Sequence, residues 1–204
     1  ITLLCKFDGQ RVTMASQIAG ADETVSSLYS VKSEQATMLS FDTYNYLVHY
    51  FGQPQGSMAD DPNGTLGGDY EFVISDATAD RIELKGKKYG NRIVMKAFSA
   101  DQTWKQYLTR IKKVEDDAFF YEYDLRMDGL YTGQMLRSNY TFIVTYYDEV
   151  GKVYQKTVPF MFTTDGMRFH EPVTIDGQTM QNFVWKNEEI SFVCTDEGAT
   201  EVKL

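Results

Sequence analysis

The feature that most limits what this chain can fold into is an alternation of apolar and polar side chains that recurs along most of its length. Phe119, Tyr121, Tyr123 and Leu125 alternate with Phe120, Glu122, Asp124 and Arg126, and a period of two lets a strand bury one face while wetting the other. Residues 1–7 and 11–16 flank Asp8-Gly9, a pair suited to a type I′ hairpin, in which both central residues take positive φ. Residues 28–31 and 37–41 read as a second hairpin, and 70–74, 81–84 and 92–98 continue a meander. Beyond residue 118 the same pattern predicts strands at 119–125, 139–147, 152–158, 160–163, 167–170, 173–175, 179–185 and 190–195. Pro159 belongs at a strand start or on an edge, because it cannot donate to a ladder. His170-Glu171-Pro172 reads as a strand end running into a turn.

Two stretches break the alternation. Residues 43–51 place Tyr44, Leu47, Val48 and Phe51 on one helical face, with Asp42 in position to cap the helix. Residues 99–114 carry Ser99 and Gln102 at capping-box spacing, followed by an apolar stripe of Trp104, Tyr107, Leu108, Ile111 and Val114. The expected architecture is mainly β with two helices, an antiparallel, hairpin-rich barrel or sandwich. Its organisation is expected as a β-rich subdomain at 1–98 with a short helix near 43–51, a connecting helix at 99–117, and a second β-rich subdomain at 118–204.

Charge narrows the partners. Lys and Arg number 20 against 29 Asp and Glu, a net charge of −9, the wrong sign for a protein that works on nucleic acid or anionic lipid. No run approaches the ~20 apolar residues of a membrane-spanning helix. The chain opens on Ile1 inside an apolar run, so an export signal is expected to lie outside it. Cys5 and Cys194 are the two cysteines. A disulfide between them would close a long loop worth roughly 5 kcal/mol, whereas two buried free thiols are the plainer reading.

Catalytic signatures are missing from the sequence: it has no GxSxG, HExxH, Walker A or GxGxxG pattern. No enzyme activity, cofactor or metal centre is therefore expected. Asp60, Asp61, Asn63 and Asp69 surround a long glycine-containing loop at 52–68 and offer oxygens of the kind calcium takes, without EF-hand spacing. Tyr46, His49 and Tyr50 share a face of the first helix, and with Trp185 they are the candidate ligand-binding residues, since an aromatic ring stacks on a ligand while its polar atom hydrogen-bonds. Against that, a helix wrapped by sheets buries such rings in its core. Lys85, Lys87, Lys88, Arg92 and Lys96 form a basic cluster at a predicted turn, either a solvated hairpin tip or a dock for an anion.

Three segments carry a family resemblance: Leu39-Ser-Phe-Asp-Thr-Tyr-Asn45 with His49, Gly67-Gly-Asp-Tyr-Glu-Phe72, and Leu84-Lys-Gly-Lys87. They resemble an uncharacterised family of surface lipoproteins from gut-type Bacteroidetes, a domain of unknown function often encoded near outer-membrane uptake systems of the starch-utilisation type. The resemblance implies an exported protein, located at the cell envelope and held at the outer membrane or cell surface by an N-terminal lipid. It carries over no catalytic or ligand residues. The expectation is a non-enzymatic lipoprotein that binds an extracellular glycan or peptide or supports an outer-membrane uptake complex. The alternatives are a glycan hydrolase built on two carboxylates about 5 to 9.5 Å apart, or a purely structural assembly component.

Overall fold

The alternation carries through to a mainly β structure of antiparallel strands with two helices. The computed structural model describes residues 1–33, 35–52, 66–148, 150–199 and 202–204. By mutual contact the chain divides into Leu3–Trp104 and a second unit formed by Lys105–Leu204 with Ile1–Thr2. The first unit contains β1 (Leu3–Asp8), β2 (Arg11–Ser16), β3 (Val25–Ser33), β4 (Thr37–Phe41), α1 (Tyr46–His49), β5 (Glu71–Ala77), β6 (Arg81–Gly86) and β7 (Arg92–Lys96). Then come α2 (Trp104–Asp117), β8 (Glu122–Met127), β9 (Leu130–Ser138), β10 (Thr141–Tyr147), β11 (Val153–Phe162), β12 (Gly166–Ile175), β13 (Gln178–Lys186) and β14 (Ser191–Cys194). Each sheet is a seven-stranded meander in chain order.

Turn chemistry explains the short connections. Asp176 and Gly177 have φ of +48° and +75°, the double positive φ of a type I′ turn, and Asp128-Gly129 repeats it between β8 and β9 at +50° and +77°. At the first hairpin Asp8 still pairs with Arg11, so the turn is Gly9-Gln10. There only Gly9 is positive, the sign pattern of type II′ rather than the I′ expected from Asp8-Gly9.

The first unit buries Val12, Met14, Leu39, Phe41, Phe72 and Leu84 around Leu47 and Val48 of α1. In the second, Tyr123, Leu125 and Met127 of β8 point inward, as do Phe142 and Val144 of β10 and Val158, Phe160 and Phe162 of β11. Phe142 stacks on Phe160 with ring centroids 4.2 Å apart. The alternation at 119–125 begins only at Glu122; Phe119, Phe120 and Tyr121 lie ahead of the strand with their rings exposed. Val202–Leu204 closes this second ring of strands. Phe192 and Leu204 exchange backbone hydrogen bonds at 2.8 Å, and Lys203 and Arg126 exchange theirs at 2.9 Å, so both outer strands, β14 and β8, find a partner in one short segment.

Prolines open the wall of that sheet. The strands expected at 152–158 and 160–163 are one strand, β11, running through Pro159. It pairs with β10 from Val153 to Pro159, but with β12 only from Phe160 to Phe162. Phe160 donates its N–H to Tyr140 O on the β10 side. Successive N–H groups point to opposite sides, so Pro159 lacks its donor on the side where the ladder has ended. Likewise 167–170 and 173–175 are one strand, β12, and Pro172 lies in its bulge against β13 between Arg168 and Val173. Lys156 Nζ crosses the opening to Thr174 O at 3.1 Å.

The second helix starts at Trp104, not at the Ser99/Gln102 capping box. Thr103 and Gln106 supply the same spacing one turn later. Leu108, Ile111 and Val114 are its buried stripe. Glu115 fastens it to the sheet, accepting from Tyr140 Oη at 3.0 Å and facing Arg137 at 3.5 Å. The Arg137 guanidinium lies 4.9 and 5.0 Å from the Phe119 and Phe162 ring centroids, which covers a charge that burial would otherwise penalise.

Cys5 and Cys194 each carry a free thiol. Cys5 lies opposite Met14 in the β1–β2 ladder, and burial pushes its thiol up to about 12. The Cys194 thiol donates toward Asp196 Oδ2 at 3.4 Å, and burial raises it to about 11. Neither is a reactive thiolate at neutral pH.

The closing segment should be measurable. Lys203→Pro removes the N–H that reaches Arg126 O and is expected to cost about 1–3 kcal/mol, seen as a lower urea midpoint. Lys203→Ala, which keeps the N–H, should cost much less. Equal midpoints for the two variants would show that closure contributes nothing.

Candidate functional site

The first helix is short because its cap comes late. Thr43 Oγ1 accepts the Leu28 N–H at 2.8 Å, and Asp42 donates its own N–H to Leu28 O at 3.0 Å, so this segment is still stitched to β3. Asn45, fully buried, then caps: its Oδ1 accepts from Leu47 N–H and its Nδ2 donates to Ser27 Oγ, both at 3.1 Å. The expected cap, Asp42, instead lies among the side chains of Ser30, Ser40 and Lys32, the last at 3.6 Å, and these neighbours hold its carboxyl below the usual range. A buried asparagine with both side-chain groups committed is a stricter anchor than an exposed aspartate.

The other two resemblance segments meet at Asp69. Its Oδ1 accepts from the N–H of Lys88 at 2.7 Å and of Tyr89 at 3.0 Å. Its Oδ2 accepts from Asn91 N–H at 3.3 Å and Asn91 Nδ2 at 2.7 Å. Burial works to raise this carboxyl, but the donors of Tyr89, Lys88 and Asn91 outweigh it and hold it below the usual range. Gly86 is required beneath it: a Cβ there would sit 1.9 Å from Asp69 Oδ2. Gly67-Gly-Asp69 and Lys85-Gly-Lys87 are thus two sides of one carboxylate nest that shapes the turn between β6 and β7.

These anchors bring rings together. His49 stacks on Tyr70 with centroids 5.0 Å apart and planes 16° from parallel, and Tyr44 lies against His49 at 5.4 Å. The His49 ring is held from behind, with Nδ1 3.2 Å from the backbone nitrogen of Asn45 and 2.9 Å from its carbonyl oxygen. Tyr44 and Tyr70 remain 63% and 45% exposed, so the cluster offers ring faces to solvent. Gly68 donates to Phe51 O at 2.8 Å, tying the ends of the 52–68 loop beside Tyr70. An open depression of about 430 Å³, lined by Leu28, Tyr29, Val31 and Asp42, adjoins in sequence at Asp42.

Of the predicted site residues, Tyr46, His49 and Tyr50 lie in the first unit and Trp185 in the second. His49 joins the platform. Tyr46 packs on the core and its hydroxyl donates to Glu23; burial first, then Glu23, pushes the phenol up to about 12. Tyr50 lies edge-on against Phe51 at 5.1 Å. Trp185 belongs to the other unit, half-buried against Phe192 at 4.9 Å, with its Nε1 donating to Asn187 Oδ1 at 3.4 Å. Tyr44, assigned to the apolar face, and Tyr70, read only as a strand residue, are the exposed rings instead. A late cap was the missing signal: with Asn45 as N-cap, Tyr44 precedes the helix and cannot share its buried face.

Of the calcium candidates, Asp60, Asp61 and Asn63 lie outside the described residues, and Asp69 already spends its carboxylate on N–H donors. Among the described residues no group of three His, Cys, Asp or Glu is placed to hold a metal ion, and no helix is long and apolar enough to cross a membrane. A family model described as a domain of unknown function (DUF4302) matches residues 1–187. Neither the curated proteins nor the solved structures give a match.

Because the Asp69 carboxyl is depressed in the fold, its contribution is complete above the unfolded value near 3.9 and is lost as pH falls through the lower folded value. The protection of the Lys88, Tyr89 and Asn91 amides, relative to an unfolded chain at the same pH, should therefore be full at pH 5 and 7 and fall only below about pH 4. Asp69→Asn is expected to speed exchange at neutral pH and cost about 1–3 kcal/mol. Protection of those amides that ignores both changes would dismiss the nest.

Proposed function

From the premise that the chain belongs to the DUF4302 family, we propose that it is a non-enzymatic saccharide-binding protein of the cell envelope. The observation that carries the reading is the platform of Tyr44, His49 and Tyr70, stacked and partly open to solvent. A pyranose presents a flat face of C–H groups that packs on an aromatic ring, and the phenol hydroxyls supply hydrogen bonds at its edge. Rings held by a buried cap and a carboxylate nest lose little freedom on binding, which favours affinity.

Three resemblance segments build this one surface. That supports extending the reading to the lipoproteins they resemble: the protein is exported, anchored at the outer membrane through an N-terminal lipid, and delivers its saccharide to an uptake complex. Metabolic labelling of the full-length protein with a fatty-acid probe, followed by membrane fractionation, tests the anchor. An unlabelled protein in the soluble fraction would dismiss it.

Binding is tested by calorimetry against a panel of oligosaccharides and peptides. A saccharide ligand should be recovered, and Tyr70→Ala and Tyr44→Ala should each weaken it by about tenfold with thermal stability unchanged. Binding of peptides alone, or hydrolysis of the saccharide, would overturn the reading.

A further inference from the structure

The platform has a basic rim in an acidic protein. The turn after β6 gathers Lys85, Lys87, Lys88 and Arg92, although the chain carries −9 overall. Some of this charge is already spent: Lys87 pairs with Glu71 at 3.1 Å, and Arg81 and Arg92 share Glu83 at 2.5 and 3.5 Å. Lys85 and Lys88 have no carboxylate partner among the described residues. The Lys88 ammonium stands 4.7 Å from the Tyr89 ring centroid, and the Lys88 N–H reaches the carboxylate of Asp69, the residue before Tyr70, at 2.7 Å. Lys85 Cε lies 3.9 Å from where a Gly90 side chain would begin, so both stems reach the same turn.

Asp69 lies beneath the turn and acts on Lys88, but its two oxygens are already committed to four N–H donors. The nest fixes the backbone from which Lys88 projects. A positive charge beside an open ring face, on a rigid base and without an acid of its own, suits a ligand that joins a stackable ring to an anion.

We propose that the ligand is an acidic saccharide, a uronate or sulfated sugar, whose ring stacks on Tyr70 and whose anion is held by Lys88 and Lys85. This rests on the saccharide reading above and adds the charge. A uronate carries its carboxylate one bond from the ring, so a single residue engages both features. The ammonium groups act as point charges with rotatable donors, which tolerates either a carboxylate or a sulfate.

The test uses matched oligosaccharides: galacturonate and glucuronate oligomers with their methyl esters, and sulfated galactose oligomers with their unsulfated forms. Calorimetry at about 0.02 and about 0.3 M salt should show the acidic member binding roughly five- to tenfold tighter at low salt, with the difference shrinking at high salt. Lys88→Gln with Lys85→Gln should erase the difference between the pair, and Tyr70→Ala should weaken both members. Equal or tighter binding of the neutral member would overturn the acidic assignment and leave the saccharide reading standing. Failure of every member to bind would overturn both. Binding to phosphatidylglycerol vesicles that the lysine variants abolish, without any sugar response, would transfer the rim to lipid and also overturn the proposal.

Discussion

Register is the constraint on which the rest of this structure depends. Strands β8, β9 and β10 hide alternate side chains, so a slip of one residue would turn Phe142, Val144 and their neighbours outward and bring threonines and tyrosines into the core. Hairpin turns pin most of the pairings, but a meander of seven strands accumulates twist that uniform pairing cannot absorb. Bulges take it up between Ile74 and Asp76, between Leu125 and Arg126, and between Arg168 and Val173. Two aspartates then hold ladders where strand pairing fails. Asp69 gathers the N–H groups of Lys88, Tyr89 and Asn91, and Asp196 gathers those of Gln181 and Asn182 at 2.5 and 2.7 Å, with Asn182 Nδ2 at 2.6 Å. The same chemistry, a carboxylate accepting consecutive backbone donors and one asparagine amide, stabilises both units.

Edges are the second consequence of the same geometry. In the second unit Val202–Leu204 fills the gap between β14 and β8, while an opening remains beside Pro159. There the unpaired backbone of β11 and β12 is guarded by two prolines and by Lys156, whose ammonium caps Thr174 O. Proline and lysine on an exposed edge discourage pairing with a second chain, so this opening is read as protection and not as a docking site.

The platform follows from how the first unit leaves β4. Thr43 and Asn45 hold the chain to β3 until residue 45, the helix has a single turn to complete, and Tyr44 is left outside it. Tyr70, just ahead of β5, meets His49 because Gly52 and Gly68 let the loop ends approach; a Cβ on Gly68 would lie 2.2 Å from Phe51 Cβ. Exposed rings are thus a by-product of tightly satisfied backbone groups.

What the amino-acid order determines alone is local: the period of two that makes strands, the Asp-Gly pairs that make hairpins, and the apolar stripe of α2, each encoded within a few neighbouring residues. Mainly β architecture and sequential hairpins were legible for that reason. What the tertiary structure decides is pairing at a distance. Asn45 outcompetes Asp42 as a cap because Ser27, on another strand, satisfies its amide. Pro159 stays inside a strand because β12 has already left it. Asp69 becomes a nest, not a cation ligand, because Lys88 and Asn91 arrive from beyond β6. No local pattern contains those partners, since each energy belongs to a contact that exists only once the sheets have formed.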